Sequence, residues 1–288
     1  MIKKYVRCIF VLLALVLSLS TQSFAAGTKN LKYKVTEYNY IPVLMYHHIT
    51  ENQIQTGDST VVTQAQLEEN IRTLIDNGYT FISLWDLYNI KQNTDWSSVR
   101  MTNSKKYVCL TFDDGYESNY KLLYPLLKKY GIKADISVIT QRCYPSYQTK
   151  AEENPKMTWD ELNEMAKSGL VQIYNHSIDH EKFDENKGWQ FIQKAITAED
   201  QLDWNLDVKR NIHVFTYPNG ETTPWLEKQM KKAGFDMQLT TESKVVCGKT
   251  PLYNVPRITV CSGESGKELL EKIDEAAYRT FAAYWKKR

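Results

Sequence analysis

Short apolar or β-branched runs alternate with helical patterns of ten or more residues from position 41 to near the C-terminus. That alternation constrains this chain more than any single motif. Residues 41–46, 79–84, 107–112, 134–140, 170–175, 212–217, 235–240 and 255–260 read as strands. Between them, Leu67, Ile71, Leu74 and Ile75 share a helical face behind a Thr63 cap. Leu122, Leu123, Leu126 and Leu127 mark another helix, ended by Gly131. Thr158 with Glu161 spells a capping box, and residues 187–207 look helical. Thr223-Pro224 places proline at a first helical position, and residues 265–286 form a last helix. Strands in this alternation imply βαβ units and a parallel sheet. About seven such units in roughly 250 residues is the size of an α/β barrel. No Pro/Gly/Ser linker divides the stretch, so residues 41–288 are expected to be a single domain.

The N-terminus is different. Lys3, Lys4 and Arg7 precede an apolar run of twelve, residues 8–19, and Ser23-Phe24-Ala25 places small residues ahead of a cleavage point. Residues 1–25 therefore read as an export signal, too short for the roughly 20 apolar residues of a spanning helix. A polar tail, residues 26–40, follows. The expected location is secreted or at the cell surface, within reach of a membrane or wall. Lys and Arg number 36 against 34 Asp and Glu. That near balance lacks the basic footprint of a nucleic-acid binder. After the signal, Cys109, Cys143, Cys247 and Cys261 remain; no zinc-type spacing joins them, and Cys247 with Cys261 is the candidate disulfide.

Functional groups of a parallel barrel gather at the C-terminal ends of its strands. Those ends carry Tyr46-His47-His48, Asp113-Asp114-Gly115, Asn175-His176-Ser177-Ile178-Asp179-His180, Tyr217-Pro218-Asn219-Gly220 and Pro256-Arg257. His176 and His180, four apart, would face the same way on a helical turn. With one carboxylate they make a three-ligand face with open positions, the layout of a catalytic metal. The second Asp of the pair is then free to accept a proton. His213, in a strand without an obvious partner, reads as structural. Trp85, Trp159, Trp189, Trp204 and Trp225 fall at helical positions and read as core.

Thr111-Phe112-Asp113-Asp114-Gly115-Tyr116, then His176-Ser177-x-x-His180 and Phe215-Thr216-Tyr217-Pro218-Asn219-Gly220, resemble the polysaccharide deacetylase family with the NodB homology domain, carbohydrate esterase family 4. The resemblance spans residues 41–261. Ile41-Pro42-Val43-Leu44-Met45-Tyr46-His47-His48-Ile49 is similar to the branch that includes poly-N-acetylglucosamine deacetylases, whose catalytic histidine precedes the Asp pair. It implies a distorted parallel (β/α) barrel, and Asp113 as general base. Asp114, His176 and His180 would be the ligands of a divalent metal, zinc first among candidates, with cobalt, nickel and iron as alternatives. His47 would be the catalytic acid, with His48 the alternative, and Asn219 would offer a backbone N–H to the oxyanion. Two departures stand out: the third motif lacks its usual Arg, and Asn219 stands where an aromatic usually follows the Pro; that no His follows residue 213 agrees with the early-histidine branch. Arg257 is the expected replacement partner for Asp113. The implied substrate is an N-acetylated polysaccharide. An O-acetyl esterase and a catalytically silent wall-binding homologue are the other readings.

Overall fold

Short parallel strands buried on both faces form the central sheet, with apolar clusters packed against it. The computed structural model describes residues 40–52, 57–93, 106–147 and 154–285, with 283–285 described by backbone alone. All of these fall in one unit, Val35–Arg288. The expected export signal and most of the polar tail lie outside the described residues. No helix among the described residues is long and apolar enough to cross a membrane.

We number the sheet strands β1 (Val43–Tyr46), β2 (Tyr79–Phe81), β3 (Lys106–Phe112), β4 (Ala134–Val138), β5 (Val171–Asn175), β6 (Val214–Thr216), β7 (Met237–Leu239) and β8 (Ile258–Thr259). Seven run in the order β7-β6-β5-β4-β3-β1-β8, and β2 pairs with the start of β3. Every pairing is parallel. The seven-stranded curled sheet forms a half-barrel, consistent with the distorted parallel (β/α) barrel that the resemblance implies. Its two edges approach where Leu239, at the end of β7, bridges in parallel to Val255 ahead of β8. Most strands are one to three residues shorter than their apolar runs, because those runs continue into the connections at one or both ends of the strand. Two short pairings have no counterpart in the sequence pattern: Tyr40–Ile41 with Val246–Cys247, and Ile49–Thr50 with Val62–Thr63.

The helices are α1 (Gln64–Asp76), α2 (Leu84–Asn93), α3 (Tyr124–Tyr130), α4 (Trp159–Lys167), α5 (Gly188–Asn205), α6 (Pro224–Lys232) and α7 (Gly266–Trp285). Thr63 caps α1, Thr158 and Glu161 form the capping box of α4, and Thr223 caps α6. Successive strand residues point to opposite faces. Leu44, Leu110, Ile136 and Ile173 accordingly pack with Leu67, Leu127, Leu162 and Leu269 of the helices. Val43, Cys109, Tyr174, Val214 and Met237 form a separate cluster from their opposite faces.

Three expectations are corrected by the packing. All four described cysteines are free, Cys247 and Cys261 included. The Thr250 hydroxyl donates to Cys247 Sγ at 3.6 Å, whereas Lys272 Nζ reaches Cys261 Sγ at 3.6 Å. Trp85 and Trp159 do pack against the core, but Trp189, Trp204 and Trp225 are exposed, because they fall on the outer faces of their helices. His213 has a partner: its Nδ1 lies 3.4 Å from Glu199.

Asp135 of β4 is buried, with Oδ2 accepting from Leu84 N–H at 3.0 Å and Oδ1 without a partner. Burial, reinforced by Asp86, pushes its pKa well above the carboxylate range, against the pull of Leu84 N–H and Lys133. A pKa raised on folding contributes stability at low pH that is lost as pH rises through the folded value. Asp135→Asn, which mimics the protonated acid, is expected to gain stability at pH 8 and none at pH 4. Each tenfold change in proton affinity is worth about 1.4 kcal/mol. Thermal melts across that range check it; a melting difference independent of pH would refute it.

Candidate metal centre and catalytic cluster

Strand ends deliver the groups, and unusual backbone turns aim them. Among the described residues, four non-glycine residues have positive φ: Asp114 (70°), Ser177 (67°), His180 (62°) and Asn219 (57°). All four lie on the rim loops singled out by the sequence. Such left-handed positions cost on the order of 1 kcal/mol or more and persist where surrounding contacts enforce them. Gly115 is needed here as well, since a Cβ on it would lie 2.9 Å from a Val138 methyl.

The enforcing contacts around the histidines are visible. Asn175, fully buried, accepts from Ser177 N–H at 2.8 Å through Oδ1. Its Nδ2 donates to Glu199 of α5 at 2.8 Å and to Ala195 O at 2.9 Å. Ser177 Oγ then accepts from His180 N–H at 2.9 Å. His176 and His180 therefore meet through a looped turn. The expected helical turn is absent, because left-handed φ at Ser177 and His180 is incompatible with one. Their rings sit edge to face, 4.8 Å apart.

Asp114 Oδ1 lies 3.2 Å from His176 Nε2 and 3.5 Å from His180 Nε2. One ligand atom from each of the three residues falls within 4.8 Å of the other two. Asp114 Oδ1 is buried and makes no hydrogen bond. His176 Nδ1 is 2.8 Å from Thr216 O, and a carbonyl only accepts, so Nδ1 carries the proton and Nε2 turns a lone pair toward Asp114. An orphaned buried carboxylate oxygen beside two imidazoles, one with its outer nitrogen already committed, is a donor set that fits a divalent cation.

Asp113 takes no part in that triangle. Both its oxygens accept from Arg257, Oδ1 from Nη1 and Oδ2 from Nη2, each at 2.7 Å. Arg257 is 0% exposed; it also donates to Thr240 O at 3.0 Å and Thr111 Oγ1 at 3.2 Å. Burial alone would raise the Asp113 pKa, but Arg257 and then His176 hold it below the ordinary carboxylate value. Asp114 is held far below that value by His176 and Lys156, again against burial. His176 is raised because Asp114 and Asp113 outweigh its burial, and His180 is lowered by burial and by His176.

His47 and His48 point to different surroundings. His47 is partly buried, its Nδ1 has no partner, and the charges it feels are those of Asp113, Asp114, Arg257 and His176. Burial lowers its pKa against the two aspartates. His48 Nδ1 lies 2.9 Å from Ser118 Oγ, and its ring packs 5.0 Å from Tyr116. Asn219 is exposed in the turn Pro218–Gly220 that follows β6. It sits three residues past the Thr216 carbonyl that orients His176.

A cavity of about 450 Å³ opens beside Asp114 and His180, lined also by Tyr116, Arg142, Lys156 and Asp179. Lys156 Nζ is 3.8 Å from Asp114 Oδ2 and lies over the Tyr116 ring. Nothing in the sequence pattern signals Lys156 or Arg142, which come from segments without periodicity or motif.

Residues 100–238 match the family model described as polysaccharide deacetylase. YxkH of Bacillus subtilis, which bears a polysaccharide deacetylase name, is 30% identical over 230 residues, covering 78% of this chain and 73% of that protein. The chain belongs to the polysaccharide deacetylase family. It is thus an enzyme of the class that hydrolyses acetyl groups from polysaccharides. A Staphylococcus aureus poly-β-1,6-N-acetyl-D-glucosamine N-deacetylase is 26% identical over 253 residues, covering 84% of this chain and 81% of its own. The Streptococcus pyogenes deacetylase PplD, solved with acetate, shares the deacetylase fold at a TM-score of 0.70 and 24% identity, over 82% of this chain and 99% of that one.

Proposed function

We propose that this polysaccharide deacetylase is a metal-dependent N-deacetylase acting on a β-linked N-acetylglucosamine polymer of exopolysaccharide or cell wall. The observation that carries the proposal is the buried Asp113–Arg257 pair set beside the convergent Asp114, His176 and His180, with His47 facing the same charges. The name of the Staphylococcus aureus relative supports the choice of polymer. In this reading residues 1–25 are an export signal, residues 26–40 a tail, and residues 41–288 the catalytic domain of a secreted or surface protein.

Asp114, His176 and His180 would hold the ion, with zinc the first candidate. When bound it would polarise the acetyl carbonyl and acidify a water. Asp113 accepts the proton of the attacking water. Arg257 occupies one lone pair on each Asp113 oxygen, and a carboxylate oxygen has another free for that proton. The backbone N–H of Asn219 donates to the developing oxyanion, a contact worth roughly 3 kcal/mol. His47 hands a proton to the departing amine. Burial makes its imidazolium a readier donor, while Asp113 and Asp114 favour that charged form. Acetate and a glucosamine unit result.

Acetate release from N-acetylglucosamine oligomers by metal-stripped protein, before and after zinc is restored, tests the proposal. Restored release is expected; a folded protein that binds zinc yet releases nothing with any metal would sink it. His47→Ala should cut amide hydrolysis about 10²-fold or more but spare an aryl acetate, whose leaving group needs no proton. His48→Ala should stay near wild type on both. Damage from His48→Ala instead would move the acid by one residue.

A further inference from the structure

Trp189 and Trp225 are 63% and 41% exposed, and they touch each other edge to face with ring centroids 5.5 Å apart. Trp189 is the second residue of α5, and Trp225 the second of α6. In a parallel β/α fold, the N-terminal ends of the helices lie on the same rim as the C-terminal ends of the strands before them. The pair therefore stands on the rim that carries His176, His180 and Asn219, between the loops that follow β5 and β6.

The pair is built in. A Cβ on Gly188 would lie 2.7 Å and 2.9 Å from two atoms of the Trp225 ring, so the glycine makes room for that indole. Phe183 packs edge to face on Phe191 at 5.5 Å, and Phe191 on Phe215 at 5.8 Å, anchoring the start of α5 to β6. Lys194 of α5 binds Asp179, inside the His176–His180 loop, at 2.6 Å. Lys182 reaches Glu221, just past the Asn219 turn, at 3.5 Å. The two indoles are thus fixed to the loops that carry the candidate ligands.

We propose that Trp189 and Trp225 form a stacking platform for sugar units of the substrate polymer that flank the unit being deacetylated. Pyranose rings offer a C–H face to an indole and hydroxyls to water, and an exposed indole is matched to such a surface, apolar in body with one polar N–H. A polymer seated at the rim must run on across neighbouring loops, and these rings lie on the loops next to the reacting one. This inference rests on the deacetylase reading for its occupant. Trp204 supplies an internal control: it is 88% exposed but sits near the far end of α5, about 22 Å along the helix from Trp189.

The experiment measures acetate release by the metal-loaded full chain on β-1,6-linked N-acetylglucosamine oligomers of increasing length. Wild-type kcat/KM should rise with length. Trp189→Ala combined with Trp225→Ala should lose that rise, with KM on long oligomers up roughly tenfold, while kcat on the shortest substrate and bound metal stay unchanged. Trp204→Ala should match wild type, and Trp189→Phe should recover part of the loss. An unaltered length dependence in the double variant overturns the platform. Binding to phospholipid vesicles that fell with the same substitutions, at constant length dependence, would assign the patch to a membrane and equally overturn it. If wild type released no acetate from any oligomer, the N-deacetylase reading would fail by itself. Indole fluorescence titration with long oligomers would then decide the platform: quenching by them that persists in Trp204→Ala and vanishes in the double variant upholds it, and its absence in wild type refutes it.

Discussion

Asp113→Asn is expected to keep its metal and lose turnover by about 10²–10⁴-fold, whereas Asp114→Asn loses metal and turnover together. Two adjacent carboxylates separate this way because the backbone turns between them. Asp113 continues from β3 with its N–H donating to Tyr46 O at 2.9 Å, while Asp114 takes φ of 70° and faces the histidines. Both Asp113 oxygens face Arg257, and no imidazole of the triangle touches them. Asparagine retains one acceptor for Arg257 and cannot take the proton of the water. At Asp114 the change removes the anion from a three-residue donor set and leaves two imidazoles. His176→Ala should behave like Asp114→Asn. Metal content by atomic emission, beside acetate release, reads both arms. Near-normal turnover of Asp113→Asn would remove it as base, and loss of metal from that variant would place it in the coordination sphere.

Arg257→Met should lower stability by about 3–5 kcal/mol and abolish turnover. A methionine fills much of the volume but leaves the fully buried Asp113 carboxylate without its counter-charge. Breaking one partner of a buried pair is costly for that reason. For a domain of this size the loss corresponds to a melting temperature lower by roughly 6–20 °C. Turnover falls separately, because burial would then lift the Asp113 pKa and protonate the base at neutral pH. Arg257→Lys should fail too, since an ammonium cannot reach both carboxylate oxygens as a guanidinium does. Adding Asp113→Asn to Arg257→Met should recover part of the stability and none of the activity. A double variant as unstable as Arg257→Met alone would show that the arginine acts by packing, not by charge.

The sheet was legible because parallel strands buried on both faces read as unbroken apolar runs, as in the buried stretch of β3. The rim was legible from the same pattern, which puts Asp114, His176 and His180 just past strand ends. Periodicity misled where backbone conformation overrode it. The i, i+4 spacing of the histidines suggests a helix, yet Ser177 and His180 bend into left-handed turns that Asn175 and Ser177 hydrogen bonds hold in place. Lys156 enters the cavity from 42 residues beyond Asp114 along the chain, with no local pattern to announce it. The exposed indoles of α5 and α6 were hidden for a related reason: spacing assigns a residue to a helix, but only neighbouring elements decide which face is covered.

Asp113 and Arg257 are 144 residues apart in the chain, one at the end of β3, the other just ahead of the last sheet strand. A chain emerging from the ribosome makes the aspartate long before the arginine that keeps it ionised. Truncated or half-folded forms that lack the closing strand would carry a buried acid with no proton-accepting charge. Hydrolytic competence then arrives only with the final stage of assembly, and acetate release becomes a sensor of whether the barrel has closed.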